Sequence, residues 1–249
     1  MIRPLILGGT LDAGRLARAM ATAGIDGVYS YAGRTAAPRE QPLPLRVGGF
    51  GGIDGLTTYL RAEAITHIID ATHPFAAGMS TNAVAAAGQA GVPLIALERA
   101  PWRPGAGDEW HSVADMAGAV AALGGPRRHV FLAIGRQHVA DFAGHPQHRY
   151  LLRFVDAPEG PPPLPDAEVV VDRGPFTLAG DQALMATRSI DVVVAKNAGG
   201  EGARAKLDAA RALGLPVIMI ERPAIPPRPA VESVGAVMDW LAHSADLGV

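Results

Sequence analysis

At 249 residues the chain can bury one large core or two cores of about 120 residues each, and its 22 basic side chains nearly balance 24 acidic ones. No global field therefore favours nucleic acid or an anionic membrane, and any anion site has to be local. There is no cysteine, which excludes disulfides, thiolate zinc sites, iron–sulfur clusters and cysteine nucleophiles, so a redox role requires a borrowed cofactor.

In chain order, an apolar strand over 5–7 breaks on Gly8 and Gly9 and runs through Thr10 into an alanine-rich helix over 12–23. Such a turn aims free backbone N–H groups and the positive end of the helix dipole at one point, which suits an anion. The spacing Gly8-x-Thr10-x-x-Ala13 stands in for the dinucleotide fingerprint G-x-G-x-x-G, with the Thr10 hydroxyl expected on a pyrophosphate. The same residues look like the G-G-T-F-D start of nucleotidylyltransferases, but Arg15-Leu16-Ala17-Arg18 stands where their H-x-G-H element belongs, and that route falls away. An ordinary strand-to-helix turn remains the alternative. The next strand, over 28–31, leads to Gly33, Arg34 and Thr35. No acid is present for ribose hydroxyls, whereas a cation plus a hydroxyl suits an extra phosphate, so NADP is favoured over NAD.

A strand over 45–47 opens into Gly48-Gly49-Phe50-Gly51-Gly52, where the backbone could pass close to a flat ligand, and a helix over 54–64 follows. The strand over 67–70 ends in Asp70-Ala71-Thr72-His73-Pro74-Phe75-Ala76. Asp70 is expected to bond nearby backbone, and His73, at a strand end, is expected to contact ligand. A helix over 80–90 and a strand over 94–97 complete half of a doubly wound sheet.

After a Pro/Gly-rich linker over 100–108 the plan repeats. Strands over 130–133, 150–154, 169–171, 192–195 and 217–220 interleave with helices over 136–142, 177–187, 202–213 and 234–243. Gly91-Val92-Pro93-Leu94-Ile95 reads against Gly214-Leu215-Pro216-Val217-Ile218, and the two strands end alike in Glu98-Arg99 and Glu221-Arg222. The pattern predicts an α/β protein of two Rossmann-like domains, 1–104 and 105–249, with mainly parallel sheets facing a shared cleft. A proline tract over 158–165 reads as a surface loop of the second domain. Polar residues at the predicted strand ends of that domain are largely cationic, namely Arg136, Arg153, Arg173 and Lys196, which suggests a substrate with several carboxylates. His145 and His148 have metal-compatible spacing but no acidic ligand nearby, so no metal is expected. Neither a G-x-S-x-G elbow nor a G-x-x-x-x-G-K-[ST] loop occurs. No stretch supplies a signal segment or about 18 uninterrupted apolar residues, so a soluble, cytoplasmic protein is expected.

Leu7-Gly8-Gly9-Thr10-x-x-Ala13, Gly33-Arg34, Asp70-x-Thr72-His73-Pro74-Phe75-Ala76, Arg173-Gly174-Pro175-Phe176 and Lys196-Asn197-x-Gly199-Gly200 together resemble the precorrin-6A reductase family over nearly the whole chain. The resemblance implies an enzyme of cobalamin biosynthesis that uses NADPH to reduce one double bond of precorrin-6A, giving precorrin-6B. Its substrate is a polycarboxylated tetrapyrrole, in line with the cation set, and related enzymes act on the cobalt-bearing macrocycle. Ala198 stands where the family leads us to expect a small hydroxyl residue.

On this basis the expected cofactor contacts are Gly8, Gly9 and Thr10 for the pyrophosphate and Gly33, Arg34 and Thr35 for the 2′-phosphate. Gly49, Phe50, Thr72 and His73 are expected near the nicotinamide. The expected substrate contacts are Arg136, Arg153, Arg173, Gly174, Phe176, Lys196 and Asn197, with His73 and Lys196 as candidate proton donors. No nucleic acid or membrane partner is expected, and the product would be handed to neighbouring enzymes of the pathway. A non-catalytic NADP-binding sensor is the alternative reading.

Overall fold

A computed structural model describes residues 2–33 and 39–246. In chain order its elements are β1 (Pro4–Leu7), α1 (Leu11–Thr22), β2 (Val28–Tyr31), β3 (Leu45–Val47), α2 (Gly52–Ala62), β4 (His67–Asp70), α3 (Ala77–Ala90) and β5 (Leu94–Leu97). Then come β6 (Trp110–Val113), α4 (Met116–Ala122), β7 (His129–Ala133), two 3-10 turns (Arg136–His138 and Ala140–Gly144), β8 (Arg149–Phe154), β9 (Ala167–Val171) and α5 (Leu178–Thr187). The chain finishes with β10 (Val192–Lys196), α6 (Ala205–Ala212), β11 (Val217–Ile220), β12 (Ala230–Val231) and α7 (Val234–Asp246).

The strands form two six-stranded sheets, ordered β12-β5-β4-β1-β2-β3 and β6-β11-β10-β7-β8-β9. Every pairing in them is parallel. Parallel sheets covered on both faces read as continuous apolar runs, which is why Leu5, Ile6, Ile68, Ile69, Val193 and Val194 are all fully buried. In the first sheet, α1 and α7 cover one face through Leu16, Met20 and Leu241, and α2 and α3 cover the other through Leu56, Leu60 and Ala83. The core of the second gathers Phe131, Leu151, Met185, Val193, Leu207 and Met219.

The chain divides into one unit made of Met1–Ala100 and Ala224–Val249 and another made of Pro101–Pro223. The expected division at 104 and 105 is thus corrected at the C-terminus, because the last segment returns to the first sheet. There β12 pairs with β5 (Ala230 with Ala96, Val231 with Leu97), and α7 buries Val237 and Leu241 completely in the first core. Each such burial stabilises the returned helix by roughly 1.5–3 kcal/mol. The exchange is reciprocal, since the chain leaving β5 forms β6 on the edge beside β11, while the chain leaving β11 forms β12 on the edge beside β5.

Two local expectations also change. The helix expected over 136–142 is a pair of 3-10 turns, whose three-residue repeat sends Val139 and Phe142 inward together. Strand β6 escapes a reading of apolar runs because it lies on an edge, with His111 and Ser112 exposed.

His67 opens β4 fully buried, with Nδ1 2.8 Å from Thr66 Oγ1, its ring edge-on to Trp240 of α7 at 5.1 Å, and no hydrogen-bond partner on Nε2 among the described residues. Burial lowers its pKa below the ordinary imidazole value. The unfolded chain therefore takes up a proton near pH ~6.5 before the folded one does, and stability should fall as pH drops below that value. Urea unfolding between pH ~7 and ~5 should show this slope in the parent and a flatter one in His67→Leu. Parallel slopes would remove His67 as the cause.

Candidate active site

Open parallel sheets bind ligands where the strand order reverses, outside the carboxyl ends of the strands. In the first sheet that point lies between β1 and β4, at the 8–10 turn and the 71–76 loop. The two are laced together, with Thr10 Oγ1 donating to Ala71 O (2.9 Å) and Ala71 N–H donating to Leu7 O (3.0 Å). Thr10 also caps α1, its hydroxyl accepting from Ala13 N–H at 3.1 Å. This corrects the expectation for its side chain, because the hydroxyl proton is already given to Ala71 and cannot also be donated to a pyrophosphate.

The two glycines of the turn serve different ends. A Cβ on Gly8 would lie 2.2–2.4 Å from the ring and hydroxyl of Tyr29, so Gly8 is dictated by packing. Gly9 has φ 113°, and a Cβ there would meet nothing within 4 Å, so it faces open space in a conformation that disfavours side chains. Its N–H donates to Tyr29 Oη at 3.0 Å. The N–H groups of Thr10, Leu11 and Asp12 meet no acceptor among the described residues and are left at the positive end of α1. The Asp12 carboxylate, which would otherwise repel an anion there, is held by Arg15 (3.1 Å) and Arg99 (3.2 Å).

Beyond β3, Gly48, Gly51 and Gly52 all have positive φ, and a Cβ on Gly48 or Gly49 would meet nothing within 4 Å. Arg46 shapes this loop. Its guanidinium donates to Gly48 O and, at 2.7 Å, to Gly49 O, and lies 3.7 Å from the centroid of the Phe50 ring. Gly33, at φ 75°, packs against Gly48, while Arg34 and Thr35 lie outside the described residues.

At the end of β4, Asp70 is structural, as the sequence predicts. Its Oδ1 accepts from Thr72 N–H (3.2 Å) and Thr72 Oγ1 (2.7 Å), while its Oδ2 lies 3.5 Å from Arg228 Nε, an ion pair without hydrogen-bond geometry. Arg228 also holds Glu98 at 3.0 Å, so the returning C-terminal segment braces the loop. His73 is exposed, and its Nδ1 accepts from Phe75 N–H at 3.2 Å, which leaves the ring proton of the neutral imidazole on Nε2.

In the second sheet the order reverses between β7 and β10. Arg136 follows Gly135 (φ 81°), and Lys196 lies one step past the Ala195–Ala133 pair, so both cations stand at this carboxyl edge. Arg136 lines a cavity of about 320 Å³ with Phe154 and the 158–163 proline tract. Another, of about 560 Å³, lies beyond β10 and is lined by Trp102, Leu178, Gly200, Glu201, Arg204 and Asp208. Arg173 is paired on the surface with Asp156 at 2.6 Å.

Two expected substrate residues are engaged inside the protein. The Arg153 side chain is 7% exposed, paired with buried Asp181 and seated 3.7 Å from the centroid of Phe176, so this arginine organises the R-G-P-F turn from within. Asn197 is buried, its Oδ1 accepting from Trp102 N–H (2.8 Å) and its Nδ2 donating to Trp102 O (3.1 Å) and Glu221 (3.2 Å). Its amide clamps the linker. Gly174 packs under Phe176, where a Cβ would come to 3.2 Å of the ring. Sequence reasoning also missed Lys206, which is buried with Nζ donating to Ala203 O at 2.7 Å. Its pKa is pushed down to about 8 by burial and by the Arg153 charge, with Asp181 opposing. His148 is structural, with Nε2 2.6 Å from Leu123 O and Nδ1 accepting from Arg128 N–H. No helix among the described residues is long and apolar enough to cross a membrane.

Comparison with known proteins matches residues 3–242 to the family described as "Precorrin-6x reductase CbiJ/CobK". The chain is 61% identical to a precorrin-6A reductase of Rhodobacter capsulatus, over 98% of each chain, and 50% identical to one of Sinorhizobium, over 97% of this chain and 93% of that one. A solved structure, "CobK precorrin-6A reductase", superposes with a TM-score of 0.95 at 60% identity, covering 98% of this chain and 97% of that one.

Arg153→Met would strand Asp181 in the interior, and urea unfolding should register a loss of about 3 kcal/mol or more. The double variant Arg153→Met/Asp181→Leu should recover most of it. A single variant as stable as the parent would show that the guanidinium does not neutralise Asp181.

Proposed function

The chain belongs to the precorrin-6x reductase family, and we infer that its first unit holds NADPH while its second holds the precorrin. Its activity is the reduction of precorrin-6A in cobalamin biosynthesis, which removes the non-catalytic sensor as an alternative. The observation that carries the cofactor reading is the set of three backbone N–H groups, on Thr10, Leu11 and Asp12, at the order reversal of a parallel sheet and the head of a helix. Open backbone at Gly9, Gly48 and Gly49 supports close approach of a flat, extended ligand. Arg34 and Thr35 are proposed for the 2′-phosphate on the strength of the sequence.

When bound, NADPH supplies a hydride. The residues of the chain then have three tasks, which are to orient the dinucleotide, to fix the macrocycle and to hold the proton that completes reduction of the double bond. Gly49, Phe50, Thr72 and His73 are assigned to the nicotinamide end. Arg136, Lys196 and, by exchange of Asp156, Arg173 are assigned to the substrate carboxylates, with the R-G-P-F turn set by Arg153 behind them. His73 is one candidate to hold the proton, on Nε2, because the Phe75 amide fixes its tautomer, and Lys196 is the other.

Two variants test the cofactor assignment separately. Leu11→Pro deletes one N–H at the first helical position, where proline is well tolerated, and should weaken NADPH and NADH alike by about tenfold without loss of melting temperature. Unchanged affinity would remove the turn as the pyrophosphate site. Arg34→Ala should raise the KM for NADPH far more than that for NADH, and an equal rise would remove the 2′-phosphate assignment.

A further inference from the structure

Tyr29 lies beneath the glycine turn and is 1% exposed, packed in the core that also contains Ile6, Ala13, Leu16 and Ala17, with its ring 4.7 Å from that of Tyr31. Its position is therefore set by the core and not by solvent. From there its hydroxyl accepts the Gly9 N–H at 3.0 Å, and its ring fills the volume that any side chain on Gly8 would require. The contact fixes the plane of a peptide that glycine, at φ 113°, would otherwise leave loosely determined. It also uses up an amide that a dinucleotide fingerprint would turn toward the ligand.

We propose that Tyr29 is a positioning residue for the dinucleotide, taking up the Gly9 amide from below so that the pyrophosphate is met by the N–H groups of Thr10, Leu11 and Asp12. The assignment rests on the reading of the first unit as the NADPH site. It explains how a turn with Thr10 in place of the second glycine remains an anion site, because the receiving amides are moved along into the head of α1, where the dipole is strongest. Burial, seconded by Tyr31 and against the pull of the Gly9 amide, holds the pKa of the Tyr29 hydroxyl well above its ordinary value.

The test is Tyr29→Phe, which keeps the ring that packs under Gly8 and deletes only the acceptor of the Gly9 N–H, with the melting temperature measured beside it. Calorimetric titration should give dissociation constants for NADPH and NADH that both rise about fivefold, by the same factor, because the pyrophosphate is common to the two. KM for either dinucleotide should follow, with kcat and the precorrin KM unchanged. Unchanged affinity for both dinucleotides would overturn the proposal, as would a lower melting temperature with affinity intact, or a loss confined to NADPH. Leu11→Pro separates the two levels of argument. If that variant binds normally, the turn is not the dinucleotide site at all, whereas weak binding there beside normal binding in Tyr29→Phe overturns the role of Tyr29 alone.

Discussion

Parallel pairing is the constraint on which everything else depends. Two parallel neighbours cannot be joined by a tight turn, so each step needs a crossover, and all strands present their carboxyl ends at one edge. In each sheet the order reverses once, beside β1 or β7, and the crossovers on either side diverge there, leaving a crevice between loops without unpairing a strand. The sixth strand of each sheet comes from the chain that has just left the other. The second sheet is complete once β11 has formed, but the first is not until the chain has crossed back and added β12.

That crossing reaches the site through Arg228. Asp70 is 1% exposed on its side chain, and a buried carboxylate needs a counter-charge, which arrives only with the returning segment. A buried ion pair contributes little net stability, since desolvation offsets most of the attraction. Its effect is geometric. With Oδ2 neutralised by Arg228, Oδ1 can hold both the amide and the hydroxyl of Thr72, and the loop carrying His73 is fixed at the β4 edge.

The fold class, most strands and the duplication were legible because buried parallel strands leave uninterrupted apolar runs, and the repeated Gly-x-Pro before β5 and β11 marks matching helix ends. The return of 224–249 was not, because β12 is two residues long and a repeat says nothing about which edge a strand joins. Its signal was the cluster Pro223, Pro226, Pro227 and Pro229, which marks a second linker as plainly as Pro101 and Pro104 mark the first. At the candidate site, residue types at strand ends pointed to the loops at the order reversals but not to the use of each side chain. Arg153 and Asn197 carry donors suited to carboxylates, yet a strand-end position does not say whether a side chain turns outward or is met by a buried Asp181 or by the backbone of Trp102. Arg46 and Tyr29 escaped notice because they act on backbone, and backbone partners leave no trace in residue identity.

The two reversal points are built on one topology yet are chemically unlike, and the difference follows from what comes after the first strand. After β1 a twelve-residue α-helix begins, with Thr10 as cap, so several amides and a dipole converge on one spot. After β7 there are only 3-10 turns of three and five residues, too short to sum a comparable dipole or to aim as many free amides together. An anion at the second point must be met by side chains instead, and Arg136 and Lys196 stand at that edge. In the reading proposed above this divides the ligands sensibly. A pyrophosphate is compact, with its charge concentrated on a few oxygens, so a cluster of backbone amides suits it, whereas the carboxylates of a macrocycle sit on flexible arms at its rim, and long cationic side chains can follow them.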